Sequence, residues 1–226
     1  LATQLSFQRV EAAVEEKGQS LEQQFESKGL AFPPKEIFFR SFKHELKFEV
    51  WVRDSSTDTF SLFKTYDVCM SSGELGPKRK QGDRQVPEGF YEIVVFNPLS
   101  NYHLSLGINY PNKSDSILSD HADKGGDIYI HGGCATIGCI PLTDEMIKEI
   151  YLLSVYAKEQ GQESIPVHIF PTRMENIDMA RLIFGNSHKQ TLLDFWKNLR
   201  MGYTYFQVEK RLPRIEVDKE GKYVFY

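Results

Sequence analysis

Apolar residues near the start of the chain recur at helical spacing. Leu5, Val10, Ala13, Val14, Leu21 and Phe25 form an interrupted stripe among Glu, Gln and Lys, which predicts an amphipathic helix over 5–29. Gly29 suits its C-terminal end, Gly18 is a point at which it would divide, and Pro33-Pro34 marks a boundary. From about Ile37 the period changes. The run His44 to Arg53 alternates as a half-buried strand does, Asp54 to Asp58 reads as a turn, and Phe60 to Tyr66 returns as the second arm of a hairpin.

A glycine-rich connection, Ser72 to Gly89, leads into a strand over 90–96. Further strands are predicted over 102–108 and 127–131, with a polar loop over 110–126 between them. The pattern then turns helical. Thr143 is a candidate N-cap, Asp144 and Glu145 favour the positive end of the helix dipole, and Gly161 closes the helix. One more strand is predicted at 165–170, and 176–214 reads as helical, with Leu192, Leu193, Phe195, Trp196, Leu199 and Tyr203 available for docking. The expected class is α+β, divided into an N-terminal helical segment (1–36), a β-rich central domain (37–171) and a C-terminal helical extension (172–226).

Composition narrows the function classes. With 226 residues, 41% hydrophobic and 26% charged, the chain has ordinary globular composition. No apolar stretch approaches the roughly 18 residues that a spanning helix needs. A net charge of -4 with scattered Lys and Arg gives no footprint for nucleic acid, and Lys78-Arg79-Lys80 is too small a basic patch to change that. Because residue 1 is Leu, the natural start is expected to lie outside this sequence, as for an exported and processed protein or a trimmed chain. Three cysteines, Cys69, Cys134 and Cys139, are too few for a disulfide framework, and an odd count leaves at least one free thiol.

The chemistry concentrates in DIYIHGGCATIGCIPLT, residues 127–143. A strand delivers His131 to its end, small and turn-forming residues follow, and Cys139 stands just before a helix. Cysteine acts as a nucleophile through its thiolate, yet a free thiol with a pKa near ~8.5 is mostly protonated at neutral pH. A neighbouring imidazole takes that proton and returns it to the leaving amine. A loop carrying Gly132, Gly133 and Gly138 can fold back to bring imidazole towards sulfur and permits close backbone approach to a substrate carbonyl.

These residues carry a family resemblance. His131-Gly132 followed by Thr136-Ile137-Gly138-Cys139 resembles the active-site motif of the L,D-transpeptidases of the YkuD-like family, and GDRQVPEGFYEI (82–93) resembles that family's strand entry. Similarity to its YafK-type branch extends through EVWVRD, FKTYDVC, GPK, YHLSL, NYPN, VHIFP and DFWKNL, over roughly residues 44–206. The resemblance implies an L,D-transpeptidase-like β-sandwich over 37–171 and an exported enzyme of the periplasm or cell envelope. Its reaction would pass through a Cys139 thioester on peptidoglycan peptide stems, with no cofactor. Many relatives carry His where this chain has Ile137 and continue Cys-Ile-Arg where it has Cys139-Ile140-Pro141, and the His131–Cys139 connection is shorter than usual. For the YafK-type branch the resemblance implies cleavage of the amide joining a lipoprotein to diaminopimelate. The alternatives are cross-linking of stems or attachment of lipoprotein. An inactive peptidoglycan-binding module would have lost His131 or Cys139, and both are present.

Other residues carry two readings each. Gly138 is expected to support an oxyanion through backbone N–H groups, and Thr136 to orient the catalytic pair or simply brace a turn. Arg84 offers a cation to stem carboxylates or is an exposed surface arginine, and Gly132 and Gly133 are candidate substrate contacts. Cys134 is read as packing or local support ahead of a redox or regulatory role. A zinc set of His131, Cys134 and Cys139 lacks a fourth ligand. His103 and His168 read as structural, His44, His121 and His188 have no functional argument, and Tyr102, Tyr110 and Tyr129 line a groove or fill the core.

Overall fold

The computed structural model describes residues 2–54 and 56–226. A helical turn, α1 (Ala2–Leu5), precedes helix α2 (Gln8–Ser27). Three strands follow, β1 (Glu36–Phe42), β2 (Lys47–Arg53) and β3 (Ser61–Asp67). After a long connection come β4 (Gly89–Asn97), β5 (Ser105–Ile108), the short helix α3 (Lys113–Leu118), β6 (Tyr129–His131) and β7 (Ile140–Pro141). Helix α4 (Asp144–Glu159) and β8 (Pro166–Phe170) complete the central part. The chain ends with α5 (Asn176–Gly185), α6 (Gln190–Glu209) and a ribbon of β9 (Ile215–Val217) and β10 (Tyr223–Phe225).

Strands β1 to β8 form one continuous sheet in the order β3-β2-β1-β8-β4-β5-β6-β7. Pairing is parallel at β1·β8 and β6·β7 and antiparallel elsewhere. Both faces of its centre are covered. Ile37, Phe39, Val167 and Ile169 pack with Val10, Phe25, Ile147 and Tyr151 of α2 and α4. Their strand neighbours Phe42, Phe90 and Phe170 pack with Trp196, Leu199 and Tyr203 of α6 and Tyr223 of the ribbon. The α+β class with helices added at both ends is what the sequence led us to expect.

Several elements differ from expectation for local reasons. Helix α2 runs unbroken through Gly18, and the division falls instead at Ser6-Phe7. Strand β1 was not anticipated as a strand: burial on both faces removes alternation from Ile37-Phe38-Phe39-Arg40, and even Arg40 is buried, bonded to Glu49 at 2.7 Å. Of the strand predicted over 102–108 only Ser105–Ile108 forms, because His103 takes a left-handed conformation at φ +68°. The extension beyond Arg214 is a β-ribbon rather than helix. Ser55 of the predicted turn lies outside the described residues, while Asp54 accepts the Ser56 N–H at 2.7 Å there. Thr143 caps α4 as expected, accepting from the Met146 N–H at 3.3 Å.

The connection between β3 and β4 has little regular structure yet is fixed from within. Lys43 Nζ donates to the carbonyls of Glu74, Gly76 and Val86 at 3.0, 2.8 and 2.9 Å and pairs with Glu88 at 2.9 Å. Glu88 also accepts from the Gly76 N–H and from Trp196 Nε1, both at 2.7 Å. A buried ion pair persists only when its remaining polar sites are satisfied, as here. The connection therefore rests on the central sheet and on α6 together.

Candidate active site

Sheet register brings the reactive residues together. Ser105 pairs with His131 across β5·β6, and Ile130 pairs with Ile140 across the parallel β6·β7. Because side chains alternate along a strand, Ser105, Tyr129, His131 and Cys139 share one face while Leu106, Ile130 and Ile140 enter the core behind them. A cavity of about 300 Å³ opens on that face, lined by Asn97, Ser100, Asn101, Tyr102, Ser105, Asp127, Tyr129, His131 and Cys139. Two chain segments wall it: the turn after β4 and the stretch from Asp127 to Cys139.

The loop from Gly132 to Cys139 is tied down at many points. Gly132 donates to the carbonyls of Tyr102 and Leu104 at 3.0 and 3.3 Å, and its own carbonyl meets His131 Nδ1 at 2.6 Å. A Cβ on Gly132 would stand 2.4 Å from Asp144 Oδ1, so only glycine fits. Gly133, at φ +79°, donates its N–H to the same Asp144 oxygen at 2.9 Å. The Thr136 hydroxyl donates to the Cys139 carbonyl at 2.8 Å and accepts the Gly138 N–H at 3.1 Å. Cys134 is bonded to Cys69, 65 residues away, and the N–H groups of these two residues reach the carbonyls of Leu142 and Pro141. This corrects the reading of Cys134 as packing, and it takes Cys134 out of any zinc set. Cys139 is the free thiol.

The Cys139 thiol and the His131 imidazole are both largely desolvated. Burial pushes the Cys139 thiol above its ordinary pKa; the Tyr129 N–H, 3.4 Å from Sγ, and Lys78 oppose this, whereas the Asp127 charge adds to it. Burial lowers the His131 pKa, partly offset by the bond to Gly132. A carbonyl accepts only, so Nδ1 carries the ring proton and Nε2 is the basic nitrogen. The Tyr102 ring lies over the imidazole at 4.6 Å between centroids, with an interplanar angle of 35°. The thiol's partners are the Tyr129 N–H and the Asp127 carbonyl, 3.6 Å away, rather than His131. Catalytic hydrogen bonds are often loose before substrate binds.

The remaining expected residues fall in different places. Tyr102 and Tyr129 line the cavity, whereas Tyr110 is buried in the core with its hydroxyl on the Lys124 carbonyl. His168 is a core residue between Phe38 and Phe90. Arg84 is exposed, at φ +58°, and does not line the cavity. Gly132 and Gly133 hold the loop through their backbones. Sequence reasoning missed Arg9, whose Nη1 donates to the carbonyls of Ser100 and His103 at 2.5 and 2.7 Å and so fixes the turn bearing Tyr102. It also missed Asn97, Ser100, Asn101, Ser105 and Asp127 in the wall. The run Asn97-Pro98-Leu99-Ser100-Asn101 was the available signal, a turn-forming cluster between two strands.

A cysteine and a histidine sharing one cavity at the edge of a mixed sheet narrow the class of protein, and comparison with known proteins supplies the family. The model of the YkuD family, the L,D-transpeptidase catalytic domain, matches residues 47–169, and the chain belongs to that family. It is 35% identical over 190 residues to YafK of Escherichia coli (strain K12), covering 83% of this chain and 73% of that protein. YafK of Escherichia coli O157:H7 gives the same figures. Among solved structures, the helical cell shape determining protein Pgp2 of Campylobacter jejuni has a TM-score of 0.47 at 18% identity, with 88% of this chain and 80% of that chain covered. L,D-transpeptidase 1 of Mycobacterium tuberculosis has a TM-score of 0.35 at 12% identity, with 60% and 62% covered.

Proposed function

We propose that this chain is a cysteine-dependent enzyme of the cell envelope that acts on peptidoglycan peptide stems and chiefly hydrolyses the amide joining a lipoprotein or peptide to diaminopimelate. The observation that carries the reading is the shared cavity. Cys139 and a neutral, tautomer-fixed His131 face the same space of about 300 Å³. Nε2 of His131 takes the thiol proton as Sγ attacks the stem carbonyl, forming the C–S bond and a tetrahedral oxyanion. Backbone N–H groups near Gly138 and Cys139 hold that oxyanion once Thr136 yields the Gly138 N–H it now accepts. The imidazolium then gives its proton to the leaving amine and the C–N bond breaks. Water, deprotonated by His131, attacks the thioester, which releases the carboxylate and restores the thiol.

Hydrolysis is preferred over cross-linking for reasons near the nucleophile. A cross-linking enzyme must seat a second stem beside the thioester and keep water out. Here the loop is short, Pro141 stands where many relatives place Arg, and Cys134 is tethered to Cys69. We assign Thr136 an orienting role and Gly132 and Gly133 a role in closing the loop, and we give Arg84 no contact with substrate.

Mass spectrometry of muropeptides from cells overproducing the protein tests the choice of acceptor. Loss of protein-modified stems, absent with Cys139→Ala, is the expected result. Accumulation of diaminopimelate-to-diaminopimelate cross-links without that loss would show transpeptidation instead.

A further inference from the structure

The cavity wall is unbalanced in charge. Asn97, Ser100, Asn101 and Ser105 supply amides and hydroxyls, Tyr102 and Tyr129 supply rings, and Asp127 supplies a carboxylate. No cation lines it. Asp144, which anchors the adjoining loop, is already engaged with the Gly133 N–H. The Asp127 carboxylate is exposed and makes no ion pair or hydrogen bond among the described residues. Its backbone is anchored beside the thiol, since its own carbonyl lies 3.6 Å from Sγ and the next residue, Ile128, is buried. An unpaired negative charge there also works against thiolate formation, a cost that falls away when a cation arrives.

We propose that Asp127 is a specificity-determining residue that pairs with a free ammonium on the stem residue supplying the scissile carbonyl. The proposal rests on the reading of the chain as a stem-cleaving enzyme and adds which group of the stem is recognised. Diaminopimelate offers such an ammonium at its free amino-acid end. The wall's amides and hydroxyls remain for the carboxylate beside it. Ion pairing would also remove the charge that disfavours the thiolate, so that the correct substrate assists activation of its own nucleophile.

The test is binding of two synthetic stem peptides, identical except that the ammonium is free in one and N-acetylated in the other. Calorimetry on the Cys139→Ala protein gives Kd without turnover. Acetylation is expected to weaken binding roughly 10- to 100-fold, the range for a charge-assisted hydrogen bond. Adding Asp127→Asn, which tolerates the same backbone conformation, is expected to bring both peptides to the weaker affinity. Equal binding of the two peptides by Cys139→Ala, or an unchanged preference in the double variant, would overturn the proposal. Wild-type turnover of the free-ammonium peptide, measured in parallel, reports separately on the cleavage reaction. Ammonium-dependent binding without cleavage would leave Asp127 in place and refute the proposed reaction.

Discussion

At the scale of residues, burial sets the resting state of the reacting pair. It raises the Cys139 thiol and lowers the His131 imidazole, so both are neutral near pH 7 rather than a preformed ion pair. In the proposed mechanism, proton transfer then waits for a substrate whose developing charges replace the lost solvation. The sign of the pH dependence follows. Because the folded His131 value lies below its ordinary ~6.5, the imidazole keeps its capacity to accept a proton until the pH falls beneath that value. The acid limb of kcat/KM is therefore expected below pH ~6.5. Iodoacetamide alkylation of Cys139 in the free protein is expected to rise only as pH climbs past the ordinary thiol value of ~8.5. Half-maximal alkylation below pH 7 would mean that a thiolate is already present. His131 and Cys139 stood out in the sequence as candidates because of their residue types at a strand end and beyond a glycine loop, and both line one cavity. Asp127 was not, because its importance lies in what it does not contact.

At the scale of elements, the site depends on how three segments are fastened together. Arg9 of α2 fixes the turn that lays Tyr102 over His131, and Asp144 of α4 receives Gly133. Cys69, beyond β3, holds Cys134 within the Gly132–Cys139 loop. Removing that tether with Cys69→Ala and Cys134→Ala together is expected to cost about 2–4 kcal/mol of stability, given the long segment it closes. It should lower kcat more than it raises KM, because the loop positions the nucleophile. Thermal unfolding and steady-state kinetics check both effects, and thiol labelling of the unreduced native protein should find one reactive cysteine. Unchanged kcat would remove the tether from the mechanism. None of these fastenings was legible, since spacing along a chain says nothing about which distant residue a cysteine or arginine will meet. Strand β1 was obscured differently: alternation marks a strand with one wet face, and β1 has none.

At the scale of the molecule, helices on both sides of the sheet leave its β5-β6-β7 end to carry the cavity. The buried Lys43–Glu88 pair links the β3–β4 connection to α6. Gly138 takes φ +139°, and a Cβ there would lie 3.2 Å from the Gln85 carbonyl of that connection, so glycine suits the point where the connection meets the Gly132–Cys139 loop. Class and helical flanks were legible from periodicity, whereas this long-range bracing arises only when the chain is folded. The central claim is that Cys139 forms a covalent acyl-enzyme with a stem. Intact-protein mass spectrometry after rapid acid quenching of the protein with a defined stem substrate addresses it directly. Wild type is expected to carry one added acyl mass, mapped to Cys139 by peptide analysis and absent from Cys139→Ala. Full turnover by Cys139→Ala, or an adduct mapped to any other residue, would contradict it.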